Sequence, residues 1–296
     1  MAEPLTRRTR IALALGLALL AIHAAITWRR LPAPGPERLL RVSDGRELAL
    51  DEALPALAAA RLLFLGEFHD QPAHHRAQLA VIRALHEAGH PVAVGMEMFR
   101  ADDQQALDRW VEGTLPLEEF LSVYYANWNF PWALYSDMLL YAREHRIPLV
   151  GLNLSPELVQ QVARRGFGSL GPEQLQQVPT VQCVVDEEYE AFIRRAMGMH
   201  GTGGPAFTNF CEAQLLWDTV MAIHLLAYLD ENPGMTVAVV AGRGHAWKGG
   251  IPARVSQRSA VPMQVLVPKL PDAFQQVEVR PEDADYFWLG LELELR

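Results

Sequence analysis

Two carboxylates and two imidazoles stand where the sequence passes from apolar strand-like runs into polar or glycine-rich turns. The first pair lies in LLFLGEFHDQPAHH, residues 62–75, where Leu62 to Leu65 read as a short buried strand and Glu67 and His69 follow Gly66. In an extended segment residues two apart point the same way, so Glu67 and His69 share a side and Phe68 turns away. The second carboxylate, Glu97, sits near the end of VAVGMEM. Burying it unpaired there would cost several kcal/mol, which argues for a partner. The second imidazole, His245, follows Gly242 and Gly244 after the run TVAVVA, and Asn153 ends a third apolar run. Two carboxylates and two imidazoles at one sheet edge suit either a borderline divalent metal ion or a general acid–base pair. Glu67, His69, Glu97 and His245 are therefore candidates for both roles. Each residue alone also has a plainer explanation: Glu67 as a helix-capping carboxylate, His69 as a hydrogen-bonded structural ring, Glu97 as a local partner of Arg100.

Three other groups of residues bear on the same place. A long helix is expected over Phe207 to Leu229, with Phe207, Phe210, Gln214, Trp217, Met221, His224 and Tyr228 recurring every three or four residues. Such a stripe is ordinarily core, but Gln214 and Asp218 fit better as partners of a site histidine. The loop Gly198 to Pro205 carries His200 between methionines, and reads either as a solvent loop or as a lid with an axial haem ligand, since His, Met and Tyr are the usual protein ligands of haem iron. Tyr124, Tyr125, Trp128, Trp132 and Tyr135 crowd the middle of the chain and suit a flat pocket or an ordinary core. His74 and His75 face either the site or solvent.

Elements that would position these groups follow from the apolar pattern. Strands are expected at Leu62 to Leu65, Val92 to Met98, Ile147 to Leu152, Thr236 to Ala241 and Met263 to Val267, with helices between them. Ser155-Pro156 is a helix start, with Ser as cap and Pro in the first position. Ser43-Asp44-Gly45 marks a small hairpin. Alternating short strands and helices predict an α/β fold with a mainly parallel sheet flanked by helices and a helical lid or insert. Ligands in such sheets sit outside the carboxyl ends of the strands.

Ahead of that body, Ile11 to Trp28 forms an apolar run of about 18 residues, near the length that spans a bilayer. Arginines flank it on both sides. Residues 1–30 are expected to be a signal-anchor or transmembrane helix, 31–37 a stiff Pro-rich linker, and 38–296 the α/β domain. A cleaved signal and a buried core helix are the rival readings. The anchor and the cleaved signal both place the body outside the cytoplasm, on the periplasmic face of the inner membrane or free in the envelope. The net charge is −9, with 35 acidic and 26 basic residues, and no basic stripe suggests nucleic acid as a partner. The two cysteines, Cys183 and Cys211, make no C-x-x-C pair, and a disulfide between them stays open.

Taken together, LGEFHDQPAHHRAQL, VGMEMF, NWNFPWALYSDMLLYAREHRIPLVGLN, FCEAQLLWDTVMA and VAGRGHAW resemble the ChaN-type haem-binding uptake family, in order, from about Arg38 to Val267. That family is grouped with Tiki proteases and erythromycin esterase-like enzymes. The resemblance implies an envelope protein of α/β fold that binds haem for iron acquisition, with a homodimer as an open option. It also places the superfamily's GExH, second-strand Glu and late His on Glu67, His69, Glu97 and His245, which in the enzymatic relatives form a metal or acid–base centre. Lipoprotein members would carry a lipid-bearing Cys near the N-terminus, and this sequence has none there. Three functions follow as expectations: a membrane-anchored haem-binding protein, with haem or a divalent metal as cofactor; a metal-dependent or Glu/His-based hydrolase; and a non-catalytic envelope interaction module.

Overall fold

The computed structural model describes residues 38–178, 185, 187–197, 204–269 and 280–291. The expected anchor and linker, His200 and Cys183 lie outside them. Among the described residues no helix is long and apolar enough to cross a membrane.

Eight strands form one sheet: Arg38–Arg41 (β1), Arg46–Ala49 (β2), Leu62–Glu67 (β3), Val92–Arg100 (β4), Leu149–Asn153 (β5), Thr236–Gly242 (β6), Met263–Pro268 (β7) and Tyr286–Leu289 (β8). Their order is β2-β1-β8-β7-β3-β6-β4-β5. From β8 to β5 every neighbouring pair is parallel, and the expected hairpin β1–β2 adds an antiparallel edge. Gly45 makes that hairpin's turn at φ +68°, a conformation that costs glycine little. The short aromatic run of β8 was not among the expected strands.

Both faces of the sheet are covered. Along β3, Leu63 and Leu65 enter one apolar core and Leu62 and Phe64 the other, so the whole strand is buried. Double coverage is why the central strands read as unbroken apolar runs rather than alternating ones. On the first face lie Leu50–Ala58 (α1), Pro72–Glu87 (α2), Gln104–Val111 (α3), Leu117–Asn127 (α4) and Trp132–His145 (α5). The remaining helices are Pro156–Arg165 (α6), Pro172–Gln177 (α7), Glu187–Met197 (α8), Pro205–Glu231 (α9), Arg243–Ala246 (α10) and Ile251–Ser256 (α11). Pro72 and Pro156 each open a helix, where a missing N–H costs nothing. Ser155 precedes Pro156 as expected, but its hydroxyl donates to Glu157 Oε2 at 2.5 Å rather than capping the helix.

The stripe expected on α9 is displaced. Of the stripe, Phe207 and Met221 are buried, alongside Cys211, Leu215, Leu225 and Leu229, whereas Phe210, Gln214, Trp217, His224 and Tyr228 are only half-buried. A helix lying on a sheet and against α6 buries more than one stripe, which blurs the periodicity.

Candidate functional site

Register alone brings the site together. Along the β3–β6 ladder Glu67 stands opposite Gly242, and along β4–β6 Met96 stands opposite Val240. Glu67, Gly242 and Glu97 therefore meet at the carboxyl edge, where α/β sheets bind ligands. Strand β4 then bulges: Met96 pairs with Gly151 and Arg100 with Asn153, so Glu97 to Phe99 have extra backbone relative to β5. Bulges re-aim side chains beside functional sites. Here the bulge lets Glu97 Oε2 accept the Gly242 N–H at 2.6 Å, while Asn153 Nδ2 donates to the Glu97 carbonyl at 2.6 Å.

Glu67 is fully enclosed. Its Oε1 accepts from His69 Nδ1 at 2.8 Å and also from the Tyr135 hydroxyl, and its Oε2 lies 3.4 Å from His75 Nε2. His75 is fixed from behind by donating Nδ1–H to the Leu134 carbonyl at 2.9 Å. Burial pushes the Glu67 carboxyl up, but the hydrogen bonds and charges of His69 and His75 outweigh it and hold the group well below the usual carboxylate range. Burial lowers His69, yet the Glu67 hydrogen bond and the charges of Glu97 and Glu67 raise it overall. His69 keeps about a quarter of its side-chain surface open (26%), against Trp128 at 4.9 Å and Phe130 at 5.3 Å between ring centroids.

The second histidine has its own buried carboxylate. His245, in the short α10 that follows β6, donates Nδ1–H to Asp218 Oδ1 at 2.6 Å, and its Nε2 lies 3.9 Å from Glu97 Oε1. Burial works against the imidazolium, but Asp218 and Glu97 raise it to about 9. Asp218 itself is pushed up by burial, partly offset by His245. Trp217, the residue before Asp218 on α9, stacks obliquely on the His245 ring at 4.7 Å and donates to Asn153 Oδ1 at 2.7 Å. His69 packs against the bare Cα of Gly242, where an added Cβ would fall 3.0 Å from its Nε2.

The structure thus brings Glu67, His69, Glu97 and His245 to one edge, with Asp218 and Trp217 serving His245. Gln214 is half-buried one turn earlier on α9. Tyr124 and Tyr135 do not line an open pocket. Both are buried, Tyr124 donating to the Phe130 carbonyl at 3.0 Å and Tyr135 to Glu67, because the α4–α5 aromatics pack as core. Of the two histidines after the strand, His74 accepts the Phe68 N–H at 2.9 Å and burial lowers its pKa to about 4, keeping it neutral. His75 and Tyr135, as partners of Glu67, were beyond sequence reading, because they come from helices whose crossing no local pattern records. The expected four-residue metal centre is not assembled: among the described residues no group of three or more His, Cys, Asp or Glu is arranged to hold a metal ion. One oxygen of each carboxylate is already committed, Glu67 Oε1 to Tyr135 and His69 and Glu97 Oε2 to the Gly242 N–H.

Chemically, the edge offers two imidazoles, each backed by a buried carboxylate at Nδ1. That hydrogen bond fixes the tautomer and raises the basicity of a ring, whether the ring then holds a metal or moves a proton.

Known proteins resemble this chain at two levels. ChaN of Campylobacter jejuni, whose solved structure is described as showing cofacial haem binding, superposes with a TM-score of 0.67 at 20% identity, covering 86% of this chain and 97% of that one. An erythromycin esterase, a mutant of EreC in its open conformation, gives a TM-score of 0.50 at 14% identity, covering 79% of this chain and 77% of that one. Both likenesses are of fold. No curated protein sequence matches significantly. The family described as haem-binding uptake, Tiki superfamily, ChaN matches residues 53–255, well over half of the chain and all four strand-end residues, and the chain belongs to that family.

Proposed function

We propose that this protein binds haem and serves haem or iron uptake at the cell envelope. The observation that carries the reading is membership of the haem-binding uptake family across residues 53–255. The sheet edge fits the group: His69 is partly open, is flanked by the apolar rings of Trp128 and Phe130, and has its Nδ1 tied to Glu67. A metal-ligating histidine characteristically carries such a carboxylate behind it. His69 would hold the iron, Trp128 and Phe130 would exclude water from the macrocycle, and His245 would supply a hydrogen-bond donor. Haem would supply an iron centre that such a histidine can ligate. Tyr124 and Tyr135 are not offered as ligands, since their hydroxyls are committed inside the core. The N-terminal segment would anchor the body to the inner membrane facing the periplasm, or be cleaved to free it there, and a homodimer would pair two such edges.

The test is an absorbance titration of the full chain, purified in detergent, with haemin. A saturable, shifted Soret band is expected. Its position should change in His69→Ala and keep its wild-type form in His145→Ala, at the far C-terminal end of helix α5. No saturable shift would overturn the reading. His200→Ala and His245→Ala run beside these to place any second ligand.

One observation favours a second reading as a Glu/His-based hydrolase: the paired arrangement Glu67–His69 and Asp218–His245, with Glu97 between. His69 would take a proton from water and His245 would give one to the leaving group. Turnover of model esters or peptides that Glu67→Gln abolishes without unfolding the chain would establish it. Absence of turnover in the wild type would remove it.

A further inference from the structure

A second cluster of imidazoles lies away from the sheet's carboxyl edge. Helix α2 starts there and runs back for 16 residues, about 24 Å at 1.5 Å per residue. Helix α5 ends just before β5 begins, so its C-terminus also lies at the sheet's amino edge. The last turns of the two helices bring His86 and His145 together, with ring centroids 4.9 Å apart. His145 is exposed and His86 half-buried. Beneath them is the buried Tyr141, whose ring lies 4.2 Å from that of His145 and whose hydroxyl is 2.9 Å from His86 Nδ1.

We propose that His86 and His145 form a two-imidazole site for a borderline divalent cation of the Cu²⁺, Ni²⁺, Zn²⁺ class. Three features support it. The rings come from separate helices, so their spacing is set by the packed α2–α5 pair rather than by flexible loops. When the phenol oxygen of Tyr141 accepts Nδ1–H of His86, the lone pair is left on Nε2 for a metal, the arrangement that a second hydrogen bond gives a metal-ligating histidine. Both rings sit at helix C-termini, where the backbone carries partial negative charge that favours a cation. The charges around Tyr141 are mixed: Arg83 lies over its ring at 4.8 Å, and Glu87 and Glu144 act on it from the other sign. With only two protein donors, waters complete the coordination. Imidazole nitrogen selects this class over Mg²⁺ or Ca²⁺, and copper should bind more tightly than nickel or zinc.

The probe is Cu²⁺ alone, added to the metal-free, haem-free full chain in detergent and followed by calorimetry and by electron paramagnetic resonance. One saturable site with imidazole-nitrogen hyperfine structure is expected. His145→Ala and His86→Ala, each checked for an unchanged circular dichroism spectrum, should abolish it. Tyr141→Phe should weaken it roughly ten- to a hundredfold. Absence of a saturable site, or binding unchanged in both histidine variants, would overturn the proposal. Haemin titration of the same variants should match the wild type, so the outcome is independent of the haem reading.

Discussion

Glu67 and His245 illustrate how burial and hydrogen bonding divide labour among ionisable side chains. Glu67 is sealed behind Tyr135, His69 and His75, so it acts by holding His69 rather than by touching a ligand. Asp218 plays the same part for His245. Because His245 rises from 6.5 to about 9 in the folded chain, the stability it contributes is full below pH 6.5 and is lost as pH rises through 9. A shift of that size corresponds to a few kcal/mol. Urea unfolding of the wild type should therefore show stability falling between those pH values. Asp218→Asn removes the carboxylate that sustains the imidazolium. It should bring the His245 pKa back toward its ordinary range, followed by NMR, and flatten the decline. A decline unchanged in Asp218→Asn would assign it to another group. The main residues here were legible in the sequence, because strand ends expose them and because Asp218 does not suit an apolar helix face. Tyr135, 68 residues from Glu67, was legible only as one aromatic among several.

Among the elements, the β4 bulge does most to shape the site, and a glycine on its neighbour makes room for it. A Cβ on Gly151 would fall 2.4 Å from the Arg100 carbonyl oxygen, a backbone contact that no side-chain rotation relieves. Gln104 closes the gap the bulge leaves, donating to the Leu149 carbonyl at 2.7 Å and accepting the Gly151 N–H at 2.9 Å. Gly151→Ala should cost about 1–3 kcal/mol in urea unfolding, as overpacked sites do. It should also weaken haemin binding, because Glu97 and Asn153 are displaced with the bulge. Gly168→Ala, with nothing within 4 Å of an added Cβ, should stay within about 0.5 kcal/mol of the wild type. Equal effects of the two substitutions would show that the bulge is not under steric control. The sequence displayed β4 and β5 as strands, with ends off by a residue or two. The bulge stayed hidden because register between parallel strands is set by non-local packing.

At the scale of the molecule, the α/β class and the sheet's parallel character were readable because both faces of the central strands are covered, leaving unbroken apolar runs. The strand order was not, since β7–β3–β6–β4 interleaves distant segments whose neighbours are chosen by packing. The remaining question at this scale is whether Ile11 to Trp28 holds the proposed haem-binding domain at a membrane. An apolar run of about 18 residues between arginines is long enough to insert and stay. If it anchors the chain, the full-length protein should pellet with membranes and resist extraction at alkaline pH. A chain lacking residues 1–30 should then be recovered in the soluble fraction with its fold intact, since the sheet begins at Arg38. If the segment is a cleaved signal, intact-mass measurement should find the body shortened and free in the envelope extract. A soluble chain that retains residues 1–30 would overturn both routes and return the segment to the interior of the protein.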